Sequence, residues 1–283
     1  MTGDGEAGGR NDDITAVIAN FNYGRYLLEA VTSLREQAGG APRVVVVDDG
    51  STEPESHAAL TRLEKEGVEV RRQANRGVCA ARNAGLAGLR TPYWLVLDAD
   101  DRLAAGALDA MRSVLERDER VAYAFGLMRF FGDRSGVVRF PEYDPYRLLH
   151  RHTIGLTALA RRSVLDATGG YDASFPHYED WELWINALAH GHEGRRADVV
   201  TLEYRRHGAT KFAGDRGNYR AAWRALRRKH ADLYARRDEI ARRSAMGVSG
   251  RAVYRWFWGP RPMPAAIEAA LHRVLWRPAG SDD

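Results

Sequence analysis

The sequence predicts an α/β protein built on a doubly wound, mostly parallel sheet. Two observations carry the prediction. Short β-branched runs alternate with amphipathic stretches through the first hundred residues, the pattern of strand-helix-strand units. The polar clusters Asn20 to Asn22, Asp48 to Ser51 and Asp98 to Asp101 each follow such a run, which places them at the carboxyl ends of strands, where parallel sheets hold their ligands.

Ile14 to Ala19 reads as the first strand, broken by the turn formers Asn20-Phe21-Asn22-Tyr23-Gly24. Leu27, Leu28, Val31 and Leu34 then recur at helical spacing. Val44 to Val47 is the second strand and ends in Asp48-Asp49-Gly50-Ser51, with Leu60 and Leu63 on the helix that follows. Val68 to Val70 is a short third strand, and Asn75-Arg76-Gly77 leads into an Ala-rich helix from Val78 to Leu89. Tyr93 to Leu97 is the fourth strand and breaks into Asp98-Ala99-Asp100-Asp101. In an extended chain Asp98 and Asp100 point to the same side, and converging carboxylates repel unless a cation sits between or beyond them. Taken alone, the pair also reads as the cap of a following helix.

The second half is less regular. Val121 to Phe131 and Val137 to Phe140 read as strands around a turn at Gly132 to Gly136, and Leu156 to Ala160 as another short strand. Gly169-Gly170-Tyr171-Asp172 is a turn. Glu179-Asp180 opens a helix whose buried stripe is Trp181, Trp184, Ile185 and Leu188, ended by Gly191. Val199 to Tyr204 reads as a strand that delivers Arg205, Arg206 and His207 into a loop. From Tyr219, the spacing of Trp223, Leu226, His230, Leu233, Tyr234 and Ile240 predicts one long amphipathic helix. Tyr254, Trp256, Phe257 and Trp258 then precede the Pro-rich 260–264.

Composition bounds the function. The 283 residues carry a formal net charge of +4, and no apolar run approaches bilayer-spanning length. Residues 1–13, rich in Gly and acid, lack the apolar centre of a secretory signal and read as a disordered tail. Cys79 is the single cysteine, which excludes an internal disulfide, fits a reducing cytoplasm and reads as a small buried side chain. Arg and Lys outnumber Asp and Glu from Arg216 to Arg255, a balance that suits nucleic acid or an anionic membrane surface.

Seven pieces occur in order between about Ile14 and Lys211. They are Val17-Ile18-Ala19-Asn20-Phe21-Asn22, Val46-Val47-Asp48-Asp49-Gly50-Ser51, Asn75-Arg76-Gly77 with Ala81-Arg82-Asn83, Leu97-Asp98-Ala99-Asp100-Asp101, Gly169-Gly170-Tyr171-Asp172, Glu179-Asp180-Trp181 and Tyr204-Arg205-Arg206-His207. Together they resemble the family 2 glycosyltransferases of the GT-A fold. The resemblance implies an enzyme that transfers one sugar from a nucleotide-diphosphate donor, a UDP-sugar in the commonest case, to an acceptor hydroxyl with inversion, using Mn2+ or Mg2+.

The resemblance also implies roles. Ala19, Asn20 and Phe21 fall at the donor site, and Asp48 accepts a hydrogen bond from the nucleobase imide, which an acceptor-only carboxylate suits. Asn75 and Arg82 lie near the nucleotide and diphosphate, and Asp49 belongs to the turn. Asp98 takes the ribose side and Asp100 the cation, His207 completes the metal site, and Arg206 neutralises diphosphate. Asp180 is the general base, paired in sequence with Glu179. Tyr143, Tyr146, His150, His152 and Thr153 fall where acceptor contacts are expected. Residues 14–215 form the catalytic domain and 216–283 a basic helical extension. The family often has Pro where Ala19 stands. The Gln-x-x-Arg-Trp motif of processive synthases and their membrane spans are absent, which implies a single transfer per encounter.

Two other readings compete. A sugar nucleotidyltransferase also has a doubly wound sheet, yet Asn20 to Gly24 lacks the Gly-rich basic loop it needs. A basic protein on an α/β scaffold could instead bind nucleic acid through its arginine-rich helix. Under the glycosyltransferase reading no nucleic-acid partner is expected. The acceptor could be a small molecule, a glycan or a lipid-linked glycan, reached from the cytoplasm with peripheral membrane contact through the basic, aromatic C-terminal region.

Overall fold

A computed structural model describes residues 11–208 and 218–257. Of the tail expected over 1–13, residues 1–10 lie outside the described residues, as does the Pro-rich segment. Asn11 is anchored, its Nδ2 donating to the carbonyls of Ala38 (2.9 Å) and Gly40 (2.7 Å).

The expected parallel half forms as read. β1 (Ile14–Asn20) pairs in parallel with β2 (Arg43–Asp48) and β4 (Tyr93–Asp98), and β3 (Glu69–Arg72) extends the sheet beyond β2. The register sets Asn20 opposite Asp48 and Ala19 opposite Asp98, so the three polar clusters share one edge. Beyond β4 the sheet is mixed. β8 (Ala158–Arg161) runs antiparallel to β4 and to β6 (Val121–Gly132), β9 (Glu193–Arg206) runs parallel to β6, and β5 (Arg102–Leu103) closes the far edge. β7 (Gly136–Val138) folds back on β6 as a hairpin.

Helices α1 (Gly24–Arg35), α2 (Pro54–Lys65) and α3 (Val78–Leu86) connect the parallel strands. α3 sits close on β1 and β2 because Gly85 faces them without a side chain; a Cβ there would overlap Val17. α3 stops at Leu86, short of the expected Leu89, because Ala87 turns extended at φ −61°, ψ 128°. Helices α4 (Ala107–Arg117), α5 (Pro145–Leu148) and α6 (Arg162–Thr168) precede α7 (Glu179–Ala189). α4 and the two-residue β5 were not anticipated, although Leu108, Met111 and Leu115 of α4 are fully buried at helical spacing.

Two expectations are corrected. Arg205 and Arg206 lie within β9, which at 14 residues is more than twice as long as the run Val199 to Tyr204, because pairing with β6 continues to Gly132↔Arg206. The single long helix from Tyr219 is three helices: α8 (Tyr219–Lys229), α9 (Ala231–Ala235) and α10 (Arg237–Arg243), followed by α11 (Val248–Phe257). His230 leaves helical geometry at φ −107°, ψ 41°, and its buried ring lies 2.8 Å from Glu182 Oε1, a partner that a straight helix would not hold.

The core spans both halves of the chain. Trp94, Trp181, Trp184, Tyr123 and Phe125 are fully buried, and Tyr123 stacks on Trp184 at 4.3 Å. Trp223, Leu226, Leu233, Tyr234 and Ile240 join the same core, and the Tyr234 hydroxyl donates to the Leu149 carbonyl at 2.8 Å. Cys79 is buried, as expected. Among the described residues no helix is long and apolar enough to cross a membrane.

His150 is buried beneath the C-terminal helices, its Nδ1 2.8 Å from the Tyr146 carbonyl. Burial pushes its pKa down to about 4. The unfolded chain therefore binds a proton at this site between about pH 6.5 and 4 while the folded chain does not. His150 thus costs stability as pH falls through that window, about 3 kcal/mol in all. Urea titrations at pH 7 and pH 4 should show wild type losing more stability than His150→Leu by about that amount.

Candidate active site

The strand ends place the charged groups. Asp98 closes β4, and Asp100 and Asp101 follow in the turn before β5. One carboxylate oxygen from each of the three lies within 4.8 Å of the others. Burial first, and then the negative charges of Asp98 and Asp100, hold the Asp101 carboxyl well above the usual carboxylate range; Asp100 is raised by burial and Asp98, with His207 pulling it partly back. Three oxygen donors under mutual repulsion fit a hard divalent cation, whose charge would relieve it. His207 Nε2 lies 2.9 Å from Asp100 Oδ2, close to the spacing of about 3 Å between adjacent ligands of one octahedral ion. The His207 ring is packed by Tyr26 at 4.9 Å and Tyr23 at 5.8 Å.

Arg205, next in β9, clamps the acidic turn. Its backbone N–H donates to Asp101 Oδ1 and its Nε to the Asp100 carbonyl, each at 2.8 Å, and its guanidinium also pairs with Glu29. Arg206 packs beside the rings of Phe130 (5.5 Å) and Tyr204 (6.0 Å).

The β1 and β2 ends are cross-tied. Asp48 is buried, its Oδ1 accepting from Asn20 Nδ2 (3.0 Å) and Ser51 Oγ (2.5 Å) and its Oδ2 from the Ser51 amide at 3.3 Å. Asp49 serves the turn, accepting from the amides of Arg76 and Gly77, each at 2.8 Å. This draws in the loop carrying the exposed Asn75. Gly50, at φ +77°, passes so near that a Cβ would lie 2.9 Å from the Asn75 nitrogen. Ala19 lines the same edge half-buried, and Phe21 leaves 42% of its surface exposed there.

Arg82 connects this edge to α7. It is 3% exposed, donating from Nη1 to Glu179 Oε1 and from Nη2 to Asp98 Oδ1, both at 2.8 Å, with the Tyr171 ring 5.1 Å beneath. Burial disfavours its charge, but Asp98 and Glu179 outweigh burial and raise its pKa further. Arg82 therefore reaches the acidic cluster through Asp98 instead of standing as a solvated helix charge.

Glu179 and Asp180 start α7, where the helix dipole favours acid. They diverge: Glu179 turns to Arg82, while Asp180 Oδ2 lies 3.0 Å from His152 Nε2. Burial would raise the Asp180 pKa, but His152 and then Arg82 more than offset it and hold it below the usual carboxylate value.

Of the expected acceptor contacts, Tyr146, His150 and Thr153 are buried, and α11 meets the first two, the Tyr146 hydroxyl 3.5 Å from the Arg251 carbonyl and the His150 ring 6.5 Å from that of Tyr254. Tyr143 is half-buried, its ring edge-on to Tyr123 at 6.0 Å. His152 is drawn to Asp180. The sequence reading assigns no role to Asp101, Arg205, Tyr26 or Tyr171, although all but Tyr26 lie within the pieces that carry the resemblance. Asp101 carried a legible signal, adjacent to the Asp-x-Asp pair; the others are set by pairings remote in sequence.

Residues 15–171 match the family described as Glycosyl transferase family 2. The chain is 30% identical to the succinoglycan biosynthesis protein ExoU of Rhizobium meliloti over 95% of its own length and 90% of that protein's. A shorter match, 38% identical over 91 residues, spans 28% of a glycosyltransferase from Nostoc sp.. Among solved structures, Staphylococcus aureus TarS 1-349 in complex with UDP-GlcNAc superposes with TM-score 0.62 at 15% identity, covering 85% of this chain and 70% of that one. The mannosyltransferase PcManGT of Pyrobaculum calidifontis, in complex with GDP-Man and Mn2+, superposes with TM-score 0.54 at 18% identity, covering 93% and 80%. These likenesses establish a GT-A architecture, and the family match together with the full-length similarity to ExoU makes this chain a glycosyltransferase enzyme of glycosyl transferase family 2.

Proposed function

We propose that this enzyme moves one sugar from a UDP-sugar to an acceptor hydroxyl with inversion, with Asp180 as general base and a divalent cation held by Asp98, Asp100 and His207. The observation that carries the reading is Arg82. It joins Glu179, the neighbour of the proposed base, to Asp98 of the acidic cluster, so the two chemical tasks are set side by side on a rigid link.

An acceptor hydroxyl attacks poorly until a carboxylate takes its proton, and Asp180, fixed by the Trp181 amide at 2.8 Å, offers an oriented acceptor. A base facing the donor across the anomeric carbon makes displacement direct, which inverts configuration. A bound cation would supply charge stabilisation to the departing diphosphate. Arg206 and Arg82 add positive charge near that group. Asp48 retains lone-pair capacity at Oδ2 for a uracil N–H, Asn20 orients it, and Ala19, Phe21 and Asn75 line the nucleotide's path. The binding of UDP-GlcNAc by TarS supports uracil, and the Mn2+ of the PcManGT complex supports the metal.

Residues 14–215 act as the catalytic unit; of the expected extension 216–283, residues 218–257 lie on the acceptor side, and the rest lie outside the described residues. Tyr219 stacks on Trp181 at 5.3 Å, next to the base, and Arg224, Arg228, Arg236, Arg242 and Arg243 are exposed. Arg236 pairs with Glu239 and Arg243 with Glu193, and the remaining basic charge of these helices suits a lipid-linked or otherwise anionic acceptor at a membrane surface.

Two outcomes test the reading. Asp180→Asn should lower transfer, or slow donor hydrolysis, by about 100-fold or more while UDP and Mn2+ still raise the melting temperature; retained turnover would refute the base. EDTA should abolish turnover, with recovery on adding Mn2+ or Mg2+, and Asp100→Asn should lose the metal-dependent thermal shift. Full turnover in EDTA would remove the metal from the scheme.

A further inference from the structure

His152 stands in the loop between α5 and β8, far in sequence from the residue it meets. Its Nε2 is 3.0 Å from Asp180 Oδ2, off the straight line of a hydrogen bond, while Asp180 Oδ1 accepts from the Trp181 amide. The imidazole is held on its other sides as well. It stacks on Trp181 (6.2 Å, 25° between planes) and meets Tyr178 edge-on at 5.8 Å. The side chain is 24% exposed, so this is not a surface histidine paired by chance. Tyr178 adopts φ 61° to begin α7, a conformation that costs a bulky residue of order 1 kcal/mol.

The protons can be counted. A neutral imidazole carries one N–H and its cation two. The nitrogen facing Asp180 carries either an N–H, which in the cation makes an ion pair, or a lone pair beside the carboxylate. We propose that His152 is the positioning residue of the base: Asp180 and His152 work as one pair, competent when together they hold no proton beyond the single N–H of a neutral imidazole. This rests on the reading of Asp180 as general base.

In the transfer step the acceptor O–H bond breaks and its proton passes to the Asp180 carboxylate, shared with His152 Nε2. The freed electron pair forms the new bond from oxygen to the anomeric carbon. The bond from that carbon to the donor oxygen breaks, and its electrons leave with the diphosphate. No other reagent is needed.

Other titratable groups neighbour the pair: Arg82 from α3, itself bonded to Asp98 of β4, Glu179 from α7, Tyr171 from the turn before it, and Tyr178 against the imidazole, while the Tyr219 hydroxyl is turned to the His150 carbonyl. Burial lowers the proton affinity of His152, but Asp180 outweighs burial and raises it above the ordinary histidine value. The pair therefore gains its inactivating proton as pH falls through that raised range, and turnover should have an acid limb there.

The test uses the full chain and two readouts. In 15N NMR of the imidazoles, the His152 titration should move down by about one pH unit or more in Asp180→Asn. The kinetic readout is Mn2+-dependent hydrolysis of whichever of UDP-glucose, UDP-N-acetylglucosamine or GDP-mannose gives the largest thermal shift. In His152→Gln its acid limb should move down by about a unit and kcat should fall about tenfold or more, with donor KM within about twofold; His152→Asn serves if the first variant does not fold. An unmoved His152 titration in Asp180→Asn, or an unmoved acid limb in His152→Gln, overturns the pair. Turnover retained in Asp180→Asn would instead refute the base itself, whatever the imidazole titration shows.

Discussion

Arg82 is the constraint on which the site depends. A guanidinium 3% exposed would be prohibitive alone, because taking a charge out of water costs several kcal/mol even after relaxation. Asp98 and Glu179 make it tolerable, each at 2.8 Å. The same bonds fix the end of β4 against the start of α7, elements 81 residues apart at these two positions. Its Cα can lie there only because α3 approaches the sheet closely, which Gly85 permits by facing Val17 and Val47 without a side chain. The start of α3 is set from elsewhere, through the Asp49 carboxylate and the Gly77 amide. A tight turn after β2 and a missing methyl group in α3 thereby determine how far the donor edge stands from the proposed base.

The two acids that open α7 are chemically alike and one residue apart, yet their surroundings separate them. Glu179 is committed to a permanent cation, so its carboxylate is a structural anion. Asp180 faces an imidazole whose charge can change. Pairs of carboxyl groups acquire distinct duties when their environments differ in this way. The helix dipole favours both equally and cannot separate them; the partners Arg82 and His152 do.

The parallel half was legible because each strand is a short β-branched run whose local pattern determines its neighbour. Asn20, Asp48 and Asp98 could be placed on one edge from that rule alone. The rest was less legible for physical reasons. β5 is two residues long, too short for any periodicity, and exists because Leu103 and Arg102 meet β9 across the chain. The apolar spacing from Trp223 to Ile240 does describe the buried face, but His230 breaks the helix to reach Glu182. The meeting of His152 with Asp180 is likewise invisible to local pattern, since a loop histidine next to buried neighbours reads the same whether its partner is water, core or catalytic acid.

Glu182 shows how the C-terminal helices bear on the site. It is fully buried two residues after the base, and its Oε1 is held by His230 at 2.8 Å and by Lys229 at 2.7 Å. An anion so buried is sustained by those partners, both contributed from beyond residue 218. In the same first turn of α7, Tyr219 stacks over Trp181 at 16° between planes, and Trp181 donates its Nε1 proton to the Leu148 carbonyl. Trp181 is also the residue whose amide holds Asp180 and whose ring supports His152. The helices from Tyr219 onward therefore brace the first turn of α7 from behind. Loosening them would cost base geometry before it cost donor contacts, because the donor edge is tied through β1, β2 and β4 with Arg82 and Arg205, not through these helices.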